Sequence, residues 1–138
     1  MLLLGFGILA FFVWQRWRDR RWIAAHFADQ PIVVQSFGVH YFGRATEPGV
    51  PRRCTGFLLL FPDKLFFRSP AANAVLTIPV HALRRVYHAT SHKGVDLHRS
   101  LMKLDFLTEH GHADTVAFAI PYPPQWMQAI EKAMSSLE

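Results

Sequence analysis

The pattern of apolar and polar positions divides the chain into two unlike parts. From Leu2 to Trp14 every residue is apolar or glycine, with no charge and no helical stripe. A surface helix shows one apolar face, so a segment apolar all round reads as one that is enclosed. Directly after it, Arg16, Arg18, Arg20 and Arg21 stand among Trp17 and Trp22. Apolar residues followed at once by Arg and Trp suit a helix leaving a bilayer. Indole rings favour the interface, and guanidinium groups reach phosphates while their stems stay in apolar surroundings. The expectation is an N-terminal transmembrane anchor with a basic juxtamembrane segment over residues 1–22. A helical connector follows over 23–30, ended by Asp29-Gln30-Pro31 because a residue before proline avoids the helical region. The apolar run is thirteen residues, roughly 20 Å as helix, against about 20 residues for a full span. It therefore reads as a short span extended to Trp17 by snorkelling Arg16 and Arg18, or as one that starts upstream. A secretory signal is the poorer reading, since no basic residues precede the run and no A-x-A site follows it. The arginines lie C-terminal to the span, which puts the body on the cytoplasmic side. Gly5 and Gly7 are the positions where a second transmembrane helix can approach closely.

From Pro31 onward the period shortens. Pro31–Phe42, Cys54–Phe61, Lys64–Arg68, Val75–Pro79, Arg84–Thr90, Leu101–Thr108 and Thr115–Ile120 read as strands, being β-branched and aromatic between turn residues. Pro62-Asp63 makes a tight turn, so the second and third strands form a hairpin. Ser91–Ser100 reads as a polar loop. Pro121-Tyr122-Pro123-Pro124 opens a helix over Gln125–Ser136, with proline at its start as expected. Trp126, Ile130, Ala133 and Leu137 share one face of it. No Gly/Ser tether separates the two parts, so one domain, 31–138, follows the anchor.

Composition adds limits. At 51% hydrophobic and 14% aromatic the chain is not a disordered one. Of the net charge of +5, residues 15–22 contribute +3, and the remaining 11 basic and 9 acidic residues leave the body only weakly basic. Nucleic acid recognition wants a basic face on the folded domain, so no nucleic acid partner is expected. Cys54 is the one cysteine, which excludes an internal disulfide and agrees with a reducing compartment.

Seven strands and then an amphipathic helix suit an antiparallel barrel with one end plugged. Gly56–Phe67, then Ile78-Pro79-Val80-His81-Ala82-Leu83-Arg84-Arg85-Val86, with Leu104-Asp105-Phe106, Phe118 and Trp126, give the chain its likeness to a family. It resembles the pleckstrin-homology-like superfold, and within it the GRAM-type branch and its bacterial relatives. Pro62 stands where the GRAM-type hairpin has threonine, and Leu83 replaces an isoleucine. The resemblance implies a mainly β fold, a seven-stranded antiparallel barrel capped by a C-terminal α-helix, here preceded by one transmembrane helix. The shared residues are core packing, so they speak to fold and little to function.

The search for chemistry returns little. His88, His92, His98, His110 and His112 lack the spacing and Cys or carboxylate support of a metal site, and no metal or cofactor is expected. Arg52-Arg53 could depress the Cys54 thiol, although a half-buried strand residue is the simpler reading. Asp105 and Glu109 form no enclosed acid pair, and no catalytic residue is assigned. A basic rim remains: Arg44, Arg52 and Arg53 around the first inter-strand loop, with Lys93 and Arg99 in the polar loop. With Arg16, Arg18, Arg20 and Arg21 these are the candidate residues for lipid headgroups or a protein interface. In pleckstrin-homology domains basic residues around the first hairpin hold headgroups, which Arg44, Arg52 and Arg53 resemble. The expected protein is a non-catalytic, single-span protein of a bacterial inner membrane. It would be an accessory subunit bracing a respiratory or photosynthetic type of complex, with membrane lipids and other transmembrane subunits as partners and no small-molecule substrate. The alternative is a peripheral sensor of anionic lipid headgroups.

Overall fold

A computed structural model describes residues 2–136 and divides the chain into two units, Met1–Pro31 and Ile32–Glu138. In the first, a single helix α1 runs over Leu2–His26. Its charged half is organised by neighbours three or four positions apart, which share a helix face. The Arg18 guanidinium lies 4.8 Å from the centre of the Trp14 ring, and Arg21 lies 4.8 Å from Trp17. Trp22 stacks on His26 at 3.9 Å. The apolar half is open to solvent: Leu4 is 72%, Phe6 68% and Leu9 61% exposed.

This helix corrects the expected anchor. Among the described residues no helix is long and apolar enough to cross a membrane. The uncharged run stops at Trp14, and Arg16, Arg18 and Asp19 enter within the next turn and a half. What remains reaches only about two-thirds of a hydrocarbon core of about 30 Å. The single-pass topology, the cytoplasmic placement of the body and the bacterial inner-membrane location all rested on that span and are withdrawn with it.

The second unit contains β1 (Val34–Arg44), β2 (Cys54–Leu60), β3 (Lys64–Ser69), β4 (Ala74–Pro79), a 3-10 turn (Val80–Ala82), β5 (Leu83–His92), β6 (Val95–Leu107), β7 (Ala113–Ala119) and helix α2 (Pro123–Ser135). One seven-stranded sheet runs in the order β4-β3-β2-β1-β7-β6-β5, and every neighbouring pair is antiparallel. The first and last strands are thus partners, with Tyr41 opposite Phe118. The sheet wraps a core of Val39, Leu58, Leu60, Phe67, Ile78, Met102, Leu104 and Phe118. β1 bends at a bulge between Ser36 and Val39, where Gly38 takes φ +66, a conformation that costs glycine little. Gly56 is required for another reason. A Cβ there would stand 2.0 Å from the Arg68 carbonyl oxygen, so β2 and β3 approach as closely as they do only because it has none.

Helix α2 turns Trp126 and Ile130 into the core, where they are 1% and 0% exposed. The Trp126 Nε1 donates to Ser36 Oγ at 2.8 Å, which satisfies its one polar atom inside an apolar site. Leu137, assigned to the same face from sequence, lies outside the described residues.

The expected polar loop Ser91–Ser100 is instead a hairpin. β5 and β6 pair as far as His92 and Val95. Lys93 and Gly94 between them have φ 56 and 75, the conformation of a two-residue turn that suits the strand twist. Polar side chains on both strands masked the turn.

Candidate functional site

The five basic residues of the expected rim do not form one site. Arg44 and Lys93 are braces. Arg44 Nη1 lies 4.0 Å from Asp114 Oδ2, and its guanidinium is 5.9 Å from the Phe106 ring centre. Asp114 is buried and accepts from the Thr46 backbone N–H at 3.3 Å and from Thr46 Oγ1 at 2.9 Å. Buried carboxylates are held by such partners, because an unpaired one is costly. Lys93 Nζ donates to the Glu47 carbonyl. Beside it His92, fully buried, places Nε2 2.9 Å from the Gly43 carbonyl oxygen. Burial holds the His92 imidazole below its ordinary value, the Gly43 hydrogen bond opposing. Together these contacts clip the β5–β6 tip to the end of β1 and the loop after it.

Arg53 and Arg99 belong elsewhere, on the outer face of the sheet. His40 pairs with Thr55 across β1 and β2 and with Ala119 across β1 and β7. Alternation puts His40 and Phe42 on the face opposite the core residues Val39 and Tyr41. Phe42, Leu101, Ala117 and Ala119 form a small apolar cluster there, with Leu97 packed on it, and the Arg99 guanidinium lies 5.8 Å from the Phe42 ring centre. His40 Nδ1 is 3.0 Å from Thr55 Oγ1. The His40 imidazole is held below its ordinary value, first by burial and then by the positive charges of Arg53 and Arg99. A groove of about 380 Å³ runs past His40, Arg99, Ser100 and Gly38. Arg52, on the approach to β2, is exposed.

The remaining candidates stay apart. Arg16, Arg18, Arg20 and Arg21 lie on α1. An added Cβ at Gly5 or Gly7 would meet nothing within 4 Å. Among the described residues no three His, Cys, Asp or Glu side chains gather as metal ligands. His88 meets Ser100 Oγ at 2.6 Å, and exposed His98 lies 3.5 Å from Asp96. Cys54 departs from the depressed thiol that Arg52-Arg53 suggested. Burial is the largest influence on it and pushes the thiol up. Sequence reasoning missed His40, Thr55 and Ser100. The available signal was the i, i+2 relation of His40 to Phe42, and it becomes useful only once the register of β1 and β2 is known.

No family model and no curated protein matches the chain, so the narrower GRAM-type assignment has no support. Solved structures do match. The C-terminal domain of an unknown protein from Leishmania infantum aligns at TM-score 0.56 and 15% identity, over 83% of this chain and 93% of that one. The Vps36 N-terminal PH domain aligns at TM-score 0.57 and 13% identity, over 80% and 83%. A chain of the 8S snRNP assembly intermediate aligns at TM-score 0.58 and 5% identity, over 75% and 82%. With identities this low the likeness concerns architecture alone, and the architecture of this chain is pleckstrin-homology-like.

Proposed function

We propose that this chain is a non-catalytic binding module that joins a larger protein assembly. The apolar half of α1 seats in a cleft between helices of a protein partner, and the pleckstrin-homology-like domain offers a second docking face. One observation carries the proposal: Leu4, Phe6, Ile8, Leu9, Phe11, Phe12 and Val13 are each more than half exposed. Contiguous apolar surface on this scale marks an interaction site. Because the exposed residues surround the helix, an occupant must enclose it rather than touch one stripe. A cleft between helices does that, and the thirteen-residue run is too short to make a bilayer span the occupant. Binding without catalysis is supported by the state of the polar groups. Asp105 Oδ1 accepts from Tyr87 and Thr115, Asp114 from Thr46, and the Cys54 thiol is pushed up by burial. Each is occupied in holding strands together or is disfavoured as a nucleophile. The matched chain of an assembly intermediate is an instance of this fold within a multi-component particle.

The test is a photo-crosslinking amino acid in place of Phe11 in the full chain, irradiated in the native cell. The expected product is one discrete protein adduct, confirmed by reciprocal purification of that protein with the unmodified chain. Adducts to lipid alone, or none at all, would remove the reading.

A further inference from the structure

We propose that His92 is the catch of a proton-sensitive latch, which holds the β5–β6 tip against the end of β1 near neutral pH and releases it in mild acid. This proposal is independent of the partner that α1 is assigned. Each half of the latch is shaped for the contact. Between the Tyr41–Phe118 and Arg44–Val116 pairs, Phe42 and Gly43 stand opposite Ala117 alone. Such a bulge takes a backbone group out of the ladder and re-aims it. Gly43, at φ +86, turns its carbonyl oxygen to His92 Nε2 at 2.9 Å. On the other side, the register of β5 and β6 shifts after Ala89, and the tip beyond keeps the pairs Ser91–Asp96 and His92–Val95. Lys93, in the turn itself, adds its bond to the Glu47 carbonyl. The tip is thus fastened through side chains reaching carbonyls, and a change at one ring can undo it.

The ring is set for one protonation state. A carbonyl oxygen only accepts, so Nε2 carries the hydrogen and Nδ1 of the neutral ring is bare. Nδ1 is buried, and among the described residues no group lies within hydrogen-bond distance of it. A proton arriving there creates a buried donor without an acceptor and a buried charge, both costly. The charges around it add to that cost. Lys93 faces the ring from its own turn and Lys103 from β6, and both repel an imidazolium. Asp114 on β7 attracts one, but Arg44 and Thr46 already engage that carboxylate. Burial is the largest of these influences. Opening the tip returns the ring to solvent, where it takes the proton at its ordinary value of 6.5. The closed form is therefore favoured fully above that value. Below it the open form gains by up to about tenfold per pH unit, until the closed form also takes the proton. Acid converts a fixed surface at this end of the domain into a mobile one and leaves the core beneath α2 in place.

The test is hydrogen exchange of the full chain from about pH 7.5 to about pH 5, corrected for the intrinsic rate and read by segment. Segments 43–50 and 90–97 should lose protection by up to about tenfold per pH unit below the ordinary histidine value, while 57–67 keeps its protection. His92→Gln retains an N–H for the Gly43 carbonyl and has nothing to titrate, so the local loss should vanish. His40→Gln, on the outer face of the sheet, should leave it as in the parent. Equal loss in all three segments, or none in any, overturns the latch. So does a local loss that survives His92→Gln or disappears with His40→Gln. Should His92→Gln fail to fold, NMR of the parent decides. The His92 ring must titrate below 6.5 and over the range of the local loss, and a ring that titrates at its ordinary value overturns the latch.

Discussion

The Leu4–Val13 segment and strand β2 are similar in apolar content and opposite in fate. In β2, Phe57, Leu58, Leu59 and Leu60 are all fully buried. In α1, Leu4, Phe6, Ile8, Leu9, Phe11, Phe12 and Val13 each show more than half their surface. The difference lies in what each segment offers its neighbours. A strand has open hydrogen-bonding edges, and β2 uses both, pairing with β1 and β3, so its side chains are drawn into a layered structure. A helix satisfies its own backbone and asks nothing of a neighbour except apolar contact. Hydrophobicity alone therefore does not place a segment in a core; β2 is fixed there by pairing on both its edges, and α2 by the face that carries Trp126 and Ile130.

The comparison can be broken at several points. The largest effect is expected at Trp126→Ala, which empties the site beneath α2 and should cost about 3–5 kcal/mol. A denaturant midpoint close to the parent's would mean that α2 is no more part of the core than α1. Gly56→Ala comes next. Its Cβ would meet the Arg68 carbonyl oxygen at 2.0 Å and Ser69 Cα at 2.9 Å, and backbone has little freedom to move, so about 1–3 kcal/mol or more should be lost. An unchanged melt would show that β2 and β3 can part without penalty. Third is pH. The His92 pKa is lowered from 6.5 in the folded domain, so below that pH the unfolded chain takes up the proton more readily. Its contribution to stability is complete above about pH 6.5 and declines as pH falls toward the folded value. His40 acts with the same sign. Urea midpoints across pH 5–8 should slope less in His92→Asn than in the parent, and an identical slope would exclude His92 as a source. The smallest effect is expected in α1. Phe6→Ser with Leu9→Ser should leave the domain's stability within about 0.5 kcal/mol, while abolishing the crosslink through Phe11. A large drop in the melt would erase the distinction between the two segments.

Much of the domain was legible because its punctuation is local. Pro62-Asp63 marks the β2–β3 turn, and Pro123-Pro124 marks the start of α2 within two residues of the expected position. The β5–β6 hairpin was missed because its turn depends on positive φ at Lys93 as well as Gly94, and lysine does not advertise that conformation. The expected anchor relied on snorkelling Arg16 and Arg18 or an upstream start to make up its short length, and Arg16 and Asp19 interrupt the run before it can span. The rim failed for a different reason. Sequence identifies cations but not their counter-charges, and Asp114, which takes up Arg44, stands seventy positions away. His40, Arg53 and Arg99 meet only through strand register, which no local pattern encodes.

The partnership of β1 with β7 has a consequence for how the domain is made. During synthesis one edge of β1 finds β2 almost at once, but the other has no complement until Val116 and Phe118 have left the ribosome. At about 5–20 residues per second that interval is on the order of several seconds. Throughout it the Phe57–Phe61 run is already at the tunnel mouth or beyond it without its completed layer, within reach of any chaperone that recognises extended aromatic segments.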